Sequence, residues 1–357
     1  MKTIAHIGFS GLGGVSDLIC TLGGNDARNR HHFLLSGIEP PGEELLARLE
    51  KAGMTAHIFV KQQGLDLQQA RSIGQCLKEL KPDLIIAHGL VHLNFCFFHR
   101  PSCPLVMVEH QNFYLQPRSY YLRGLLFRSF VSAYLFTTEE SRRLALARYG
   151  GVFRGKRSYL IPNPIDPVYF EEIPGLQEEP GSLIMCGRLM ASKDHGTVIR
   201  ALHRLRGEHK LHFYITGHGE TRPALEALVG ELGLGDQVTF CGILPLSDLI
   251  ERQRNTAIYV QSSEGETLSI AVLNALALKK IVVGSDVSGI NNLLRHGENG
   301  FLFEHGNVEA LCAVLRQAMA DPHNALREQA RADALRYHPS TIVGEYQAMF
   351  DQLCPSR

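Results

Sequence analysis

Residues 264–289 read EGETLSIAVLNALALKKIVVGSDVSG. An acidic polar loop runs into an apolar Ala/Leu-rich helix, and a lysine pair leads on into the β-branched run IVV. This succession of strand end, loop, helix and strand belongs to an α/β fold with parallel strands. The first turn of such a helix presents unpaired N–H groups and the positive end of a dipole, a natural seat for an anion. Glu266 stands at the mouth of the helix and Asn274 follows eight residues later. Together they point to a ligand that carries phosphate and also offers hydroxyls to a carboxylate.

The same alternation extends in both directions. In the first half, strands are expected at 3–10, 32–36, 55–60, 83–88, 105–109, 134–138 and 158–161, with helices at 43–52, 67–80 and 139–149. In the second half, strands are expected at 182–187, 211–216, 237–242, 257–261 and 281–284, with helices at 195–205, 221–232 and 308–319. Parallel sheets covered by helices on both faces follow from this pattern. Between the halves, PNPIDP at 162–167 and EEIPGLQEEPG at 171–181 end regular structure. The expected fold is therefore α/β: two facing Rossmann-like doubly wound domains with an interdomain cleft. Residues 1–165 form the N-terminal domain and 166–338 the C-terminal one, with a helix in 339–357 that could pack back on the first. Doubly wound units bind ligands at the carboxyl ends of their strands.

Composition narrows the function. The 357 residues carry 36 Lys+Arg and 36 Asp+Glu, so no global basic field points to nucleic acid. The eight cysteines form no CxxC and the 17 histidines no HExxH, so no metal site is expected. The cysteines read as small buried hydrophobes of a reducing compartment. The N-terminus lacks a signal-peptide pattern and no run of about 18 apolar residues occurs, which together predict a cytoplasmic protein.

Several motifs end strands where ligands gather. GRLMASKDHG at 187–196 places Arg188 and Lys193 on a strand-to-helix connection, two cations suited to clamp a diphosphate and neutralise it as it leaves. A plain loop with surface charges is the competing reading. In ITGHGE at 215–220, Gly217 and Gly219 would let a ligand approach the backbone. VTFCGILP at 238–245 ends on Gly242 and Ile243, whose backbone could pair with a nucleobase edge or simply form a turn. GFSGLGGVSDL at 8–18 has no GxGxxG spacing, which disfavours a dinucleotide, but Gly13 and Gly14 could face a phosphate. His110 ends the strand in MVEHQNF and could meet a sugar hydroxyl or a reacting oxygen, or be a satisfied, half-buried histidine; His88 in IIAHG is a weaker candidate. The stretch 113–136 mixes aromatics with Arg118, Arg123 and Arg128. A core helix with solvated arginines is preferred there over a membrane-surface patch.

Taken in order, GLGGV at 11–15, YLIPNPID at 159–166, GRLMASK, ITGHGE, VTFCG, EGETLSIAVLNALALKKIVVGSDVSGI and HGENGFLF at 296–303 resemble the family 4 glycosyltransferases, retaining enzymes of the GT-B fold. The resemblance covers most of the chain and is strongest from 159 to 320. It implies that Arg188 and Lys193 bind the donor diphosphate and that Gly13 and Gly14 lie near the phosphates and the reacting sugar. It places His110 near the donor sugar and gives Glu266, the first glutamate of the E-x7-E motif, to the sugar hydroxyls. The backbone at Leu268 and Ser269 would meet the phosphates, and Gly242 and Ile243 the nucleobase. The second motif glutamate aligns with Asn274, which can bond a ribose hydroxyl without charge.

The resulting expectation is a retaining hexosyltransferase using a nucleotide sugar, UDP-linked in preference, without cofactor or bound metal. The acceptor would be a hydroxyl of a glycan or lipid-linked glycan in bacterial surface polysaccharide assembly, which allows contact with the inner face of the membrane. No nucleic-acid partner is expected. A GT-B nucleotide-sugar epimerase and a catalytically weak nucleotide-sugar-binding partner subunit are the alternatives.

Overall fold

The computed structural model describes residues 1–11, 13–62, 64–110, 118–173, 175, 177–320 and 323–355. Leu12 of the GLGGV motif and residues 111–117, which include the start of the Arg-rich aromatic stretch at 113–136, lie outside this set. The chain divides into two compact units, Met1–Asp166 with Tyr337–Arg357, and Pro167–Arg336.

The first unit is built on seven strands, β1 (Thr3–Phe9), β2 (Arg30–Gly37), β3 (Thr55–Val60), β4 (Leu84–His88), β5 (Leu105–Val108), β6 (Ala133–Phe136) and β7 (Arg157–Leu160). Their order is β3-β2-β1-β4-β5-β6-β7, and all neighbours run parallel. The central strands LIIAH, LVMV and AYLF are buried along their whole length, because both faces are covered. The helices of this unit are α1 (Gly14–Asn25), α2 (Glu43–Lys51), α3 (Leu67–Leu80), α4 (Arg118–Phe127) and α5 (Glu139–Phe153), together with the C-terminal helix Pro339–Leu353. Alternate strand residues pack on opposite faces of the sheet. Ala5, Ile7, Ile85, Ala87, Leu105 and Met107 pack on one face with Ile73 and Leu77 of α3. Ile4, Ile86, Val106 and Val108 pack on the other, against Ile342, Tyr346, Met349 and Phe350 of the C-terminal helix.

The second unit has six parallel strands, β8 (Glu179–Cys186), β9 (His212–Thr216), β10 (Val238–Gly242), β11 (Thr256–Gln261), β12 (Ile281–Ser285) and β13 (Phe301–Phe303), in the order β10-β9-β8-β11-β12-β13. Helices α6 (His195–Leu205), α7 (Arg222–Glu231), α8 (Leu246–Asn255), α9 (Ile270–Ala277), α10 (Val308–Ala320) and α11 (Asn324–Ala334) cover it. The short α9 is apolar nearly all round and buries Val272 through Ala277, which is why its sequence shows no polar face. Lys280, just after it, is 2% exposed and spans from the Glu178 carboxylate to the carbonyls of Arg254 and Thr256, so half of the lysine pair is a structural tie.

Strand and helix expectations agree with the structure except for four elements that they did not include, among them α1, which follows directly on the glycine turn at 8–14. Strand β13 has three residues, too few to show a period. Helices α8 and α11 are charge-rich, with two and three buried residues respectively, so their apolar stripes are thin. All eight cysteines are free.

Candidate functional site

In the second unit the chain leaves β8 toward β9 on one side and later returns through β11 on the other, so β8 and β11 flank the topological switch point. The connections leaving these two strands carry the residues of the GRLMASK and EGET motifs. Ser262, just past β11, donates to the carbonyls of Lys193 (3.0 Å) and Asp194 (2.9 Å), and Glu264 N donates to Ser192 O (2.8 Å). These bonds fasten the 191–193 turn to the end of β11. Asp194 adopts a left-handed backbone (φ 49°) and caps α6 by accepting from Thr197 N, which fixes where the turn ends.

The result is an ion pair between Lys193 Nζ and Glu266 Oε1, joining residues far apart in sequence. Both side chains are mostly buried, 20% and 16% exposed. A polar row supports the carboxylate from below. Tyr259 Oη donates to Gln261 Oε1 (2.7 Å), Gln261 Nε2 to Ser263 Oγ (2.7 Å), and Ser263 Oγ to Glu266 Oε1 (2.8 Å). Oε1 is thus the acceptor of the internal bonds, and Oε2 has no partner among the described residues. Glu264 is exposed. Gln261 and Ser263 escaped the sequence reading, although their places immediately before the EGET motif were a signal.

The loop after β12 closes over Glu266. Glu266 N donates to Ser288 O (2.9 Å) and Ser269 N to Gly289 O (3.1 Å). This corrects one expectation: the Ser269 N–H is used within the protein and cannot meet a phosphate. Leu268 and Ser269 are buried, and the first helical bond of α9 is Leu273 N to Ser269 O. The orphan donors of the helix are therefore those of Ile270, Ala271 and Val272. Gly289 has φ 78°, and a Cβ there would lie 2.3 Å from Glu266 O. Gly289→Ala is expected to lower stability by roughly 1–3 kcal/mol, read as a lower urea midpoint. An unchanged midpoint would show that the two loops do not need this approach.

Gly217 and Gly219 also take a different role from the one expected. A Cβ on Gly217 would sit 1.9 Å from Gly187 O, and one on Gly219 would sit 2.1 Å from Leu189 O. Gly187 N bonds Thr216 O (3.0 Å) and Leu189 N bonds His218 O (2.9 Å). The two loops lie so close that on these sides the room left by glycine is filled by the protein's own backbone. Gly242 is left-handed (φ 69°) with open space beside it, and Ile243 is 68% exposed. Arg188 is exposed and has no ion partner among the described residues, whereas Lys193 is paired. Asn274 is 9% exposed, and its Oδ1 has no hydrogen-bond partner among the described residues.

In the first unit, Gly13 and Gly14 are exposed at the start of α1, just beyond β1, with Gly13 N donating to Ser16 Oγ (2.9 Å). His110 lies two residues beyond β5 and is bonded through Nε2 to Nδ1 of the buried His88 (2.9 Å). Burial lowers the His110 pKa to about 4. Helix α4 packs Tyr120 and Phe127 into the core, as a core helix should, while Leu122, Leu125 and Leu126 are 68%, 39% and 55% exposed beside the exposed Arg123. No helix among the described residues is long and apolar enough to cross a membrane.

Two doubly wound units with charged strand-to-helix loops at their carboxyl ends are the architecture of the GT-B class. Comparison with known proteins agrees. The profile described as Glycosyltransferase Family 4 matches residues 12–169, and that described as Glycosyl transferases group 1 matches residues 170–335. The chain belongs to the family 4, group 1 glycosyltransferases. Among curated relatives, the lipopolysaccharide core biosynthesis glycosyltransferase LpsE of Rhizobium meliloti is 31% identical over 160 residues, covering 45% of this chain and 44% of the relative. The alpha-D-kanosaminyltransferase of Streptomyces kanamyceticus is 29% identical over 161 residues, covering 45% of this chain and 41% of the relative. The match thus spans less than half the length of either relative. Among solved structures, that of Anabaena HepE in complex with UDP and glucose superposes with a TM-score of 0.83 at 19% identity, covering 99% of this chain and 100% of that one.

Proposed function

We propose that the protein is a retaining glycosyltransferase that moves a hexose from a UDP-linked donor to a hydroxyl of a glycan or lipid-linked glycan. The observation that carries this reading is the Lys193–Glu266 pair at the switch point, with Glu266 Oε2 left open among the described residues and the orphan amides of α9 close by in sequence. Glu266 accepts hydrogen bonds from the sugar hydroxyls. Lys193, Arg188 and the Ile270–Val272 amides neutralise the diphosphate. The bond between the anomeric carbon and the phosphate oxygen breaks, and its electron pair stays on the diphosphate. The acceptor oxygen then bonds the anomeric carbon on the same face and gives its proton to a diphosphate oxygen. No protein nucleophile and no bound metal take part in this scheme, and EDTA is expected to leave the rate unchanged. Calorimetry with UDP and GDP is the first test, and an absence of binding to either would overturn the proposal. Turnover of UDP-sugar without acceptor would instead support epimerisation.

The buried Asn274 Oδ1 is assigned to a ribose hydroxyl, which would supply the donor it lacks. Asn274→Glu is expected to strengthen UDP binding several-fold, as a charged acceptor does. Unchanged affinity would place the residue outside the ribose contact.

We further assign the lipid-facing role to α4. Leu122, Leu125 and Leu126 with Arg123 suit a shallow contact with anionic lipid headgroups. Leu122→Ser with Leu126→Ser is expected to reduce sedimentation with phosphatidylglycerol vesicles. Equal sedimentation of variant and wild type would remove α4 from that role.

A further inference from the structure

Tyr259, Gln261 and Ser263 alternate along one side of β11 and the residues that extend it, and each is 0% exposed. Ile258 and Val260, on the opposite side of the strand, enter the hydrophobic core of the second unit. A polar stripe thus runs through the interior on a strand that is apolar on its other face. Paired polar groups in such a place add little stability over apolar groups of the same shape. Their arrangement points instead to the residue at the end of the stripe, Glu266.

The bonding in this stripe has one direction. Lys193 has only protons to give, so Glu266 Oε1 accepts. Ser263 Oγ lies 2.8 Å from the same oxygen and gives it its single proton. With that proton spent, Ser263 accepts from Gln261 (2.7 Å), which turns the amide Nε2 toward Ser263 and its Oε1 toward Tyr259. Gln261 Nε2 also reaches Glu266 Oε1 at 3.4 Å. The Tyr259 hydroxyl therefore donates to Gln261 Oε1 (2.7 Å). Burial pushes its pKa well above the ordinary tyrosine range, which keeps that proton in place. An ammonium at one end and a protonated phenol at the other leave the serine and the amide between them no choice. The backbone is fixed as well. Ser285 Oγ donates to the Ser263 carbonyl (2.6 Å), and the bonds of Ser262 and Glu264 hold its neighbours to the turn at 191–194.

We propose that Tyr259, Gln261 and Ser263 are positioning residues for sugar transfer: Tyr259 sets the orientation of the Gln261 amide, the amide commits the Ser263 proton to Glu266 Oε1, and the carboxylate is held so that Oε2 meets the sugar. The part played by Oε2 rests on the donor reading above, while the directed row does not. Without the tyrosine hydroxyl, the amide is free to turn over. Gln261 Oε1 would then compete with Glu266 for the Ser263 proton. A change three hydrogen bonds away would thereby loosen the carboxylate.

Calorimetry on Tyr259→Phe, alone and combined with Gln261→Met, tests the row. Tyr259→Phe keeps the ring and removes the hydroxyl. It should weaken UDP-glucose binding about fivefold, the scale of one neutral hydrogen bond, with UDP binding within about twofold of wild type. Adding Gln261→Met removes the amide that competes for the Ser263 proton, so UDP-glucose binding should recover to within about twofold of wild type. A double variant as weak as Tyr259→Phe, or weaker, would overturn the proposal, and so would unchanged UDP-glucose binding in Tyr259→Phe. Equal weakening of UDP and UDP-glucose would indicate a merely structural role and overturn it too. Melting temperatures of the same proteins decide the directed row without a ligand. Tyr259→Phe leaves a buried amide oxygen unpaired and the double variant does not, so the double variant should melt no lower than Tyr259→Phe. Additive losses would overturn the row. Failure of the wild type to bind UDP or UDP-glucose would sink the donor reading and the sugar role with it, while the melting temperatures would still decide the row.

Discussion

Glu266→Ala is expected to lower sugar transfer at least tenfold, a loss of about 1.4 kcal/mol or more in transition-state binding. The carboxylate is held by Ser263, Gln261 and Lys193 through one oxygen. The other is the oxygen assigned to the sugar. Removing it takes away the contact that orients the hexose, and it also releases Lys193 from its partner. UDP binding should therefore not weaken, because the diphosphate gains an unpaired cation and loses a nearby anion. The discriminating measurement is a steady-state rate with UDP-glucose beside calorimetry with UDP. A wild-type rate would remove Glu266 from the site, and a parallel loss of UDP affinity would make it a structural residue.

Lys193→Ala should behave differently, with transfer falling at least tenfold and UDP binding falling with it. The substitution leaves the mostly buried Glu266 carboxylate with Ser263 and Gln261 but without its cation. That uncompensated charge would repel a diphosphate. Because the two residues are in contact, their effects should not add. In the double variant, transfer should fall by clearly less than the product of the two single losses. Strict additivity would mean that the ion pair does not exist in solution.

The alternation of strands and helices, the break between the two halves and the ordered motifs are legible in the amino-acid sequence. These are local properties. Apolar periodicity reports which residues face inward over a few residues of chain, and proline and glycine fix the backbone where they stand. It also brought Glu266, Lys193 and Arg188 forward as charged residues at strand ends, since that position needs only the strand and the loop after it.

What those residues do to one another follows from contacts between segments far apart in the chain. That Lys193 meets Glu266 depends on β8 and β11 being neighbours, and the long connection between them carries no local record of that choice. The spacing of glycines in ITGHGE looked like room for a ligand, but the room is filled by the carbonyls of Gly187 and Leu189. The Ser269 amide looked open in sequence, and a loop some 20 residues later closes it. The clearest case is the row of contacts that links His31 to His6, His6 to His88 and His88 to His110. His6, His31, His88 and His110 sit on or just beyond four different strands, and nothing in their spacing along the chain aligns them. Each of His6, His88 and His110 stands two residues past the strand position that faces its predecessor, an offset set by the parallel registers.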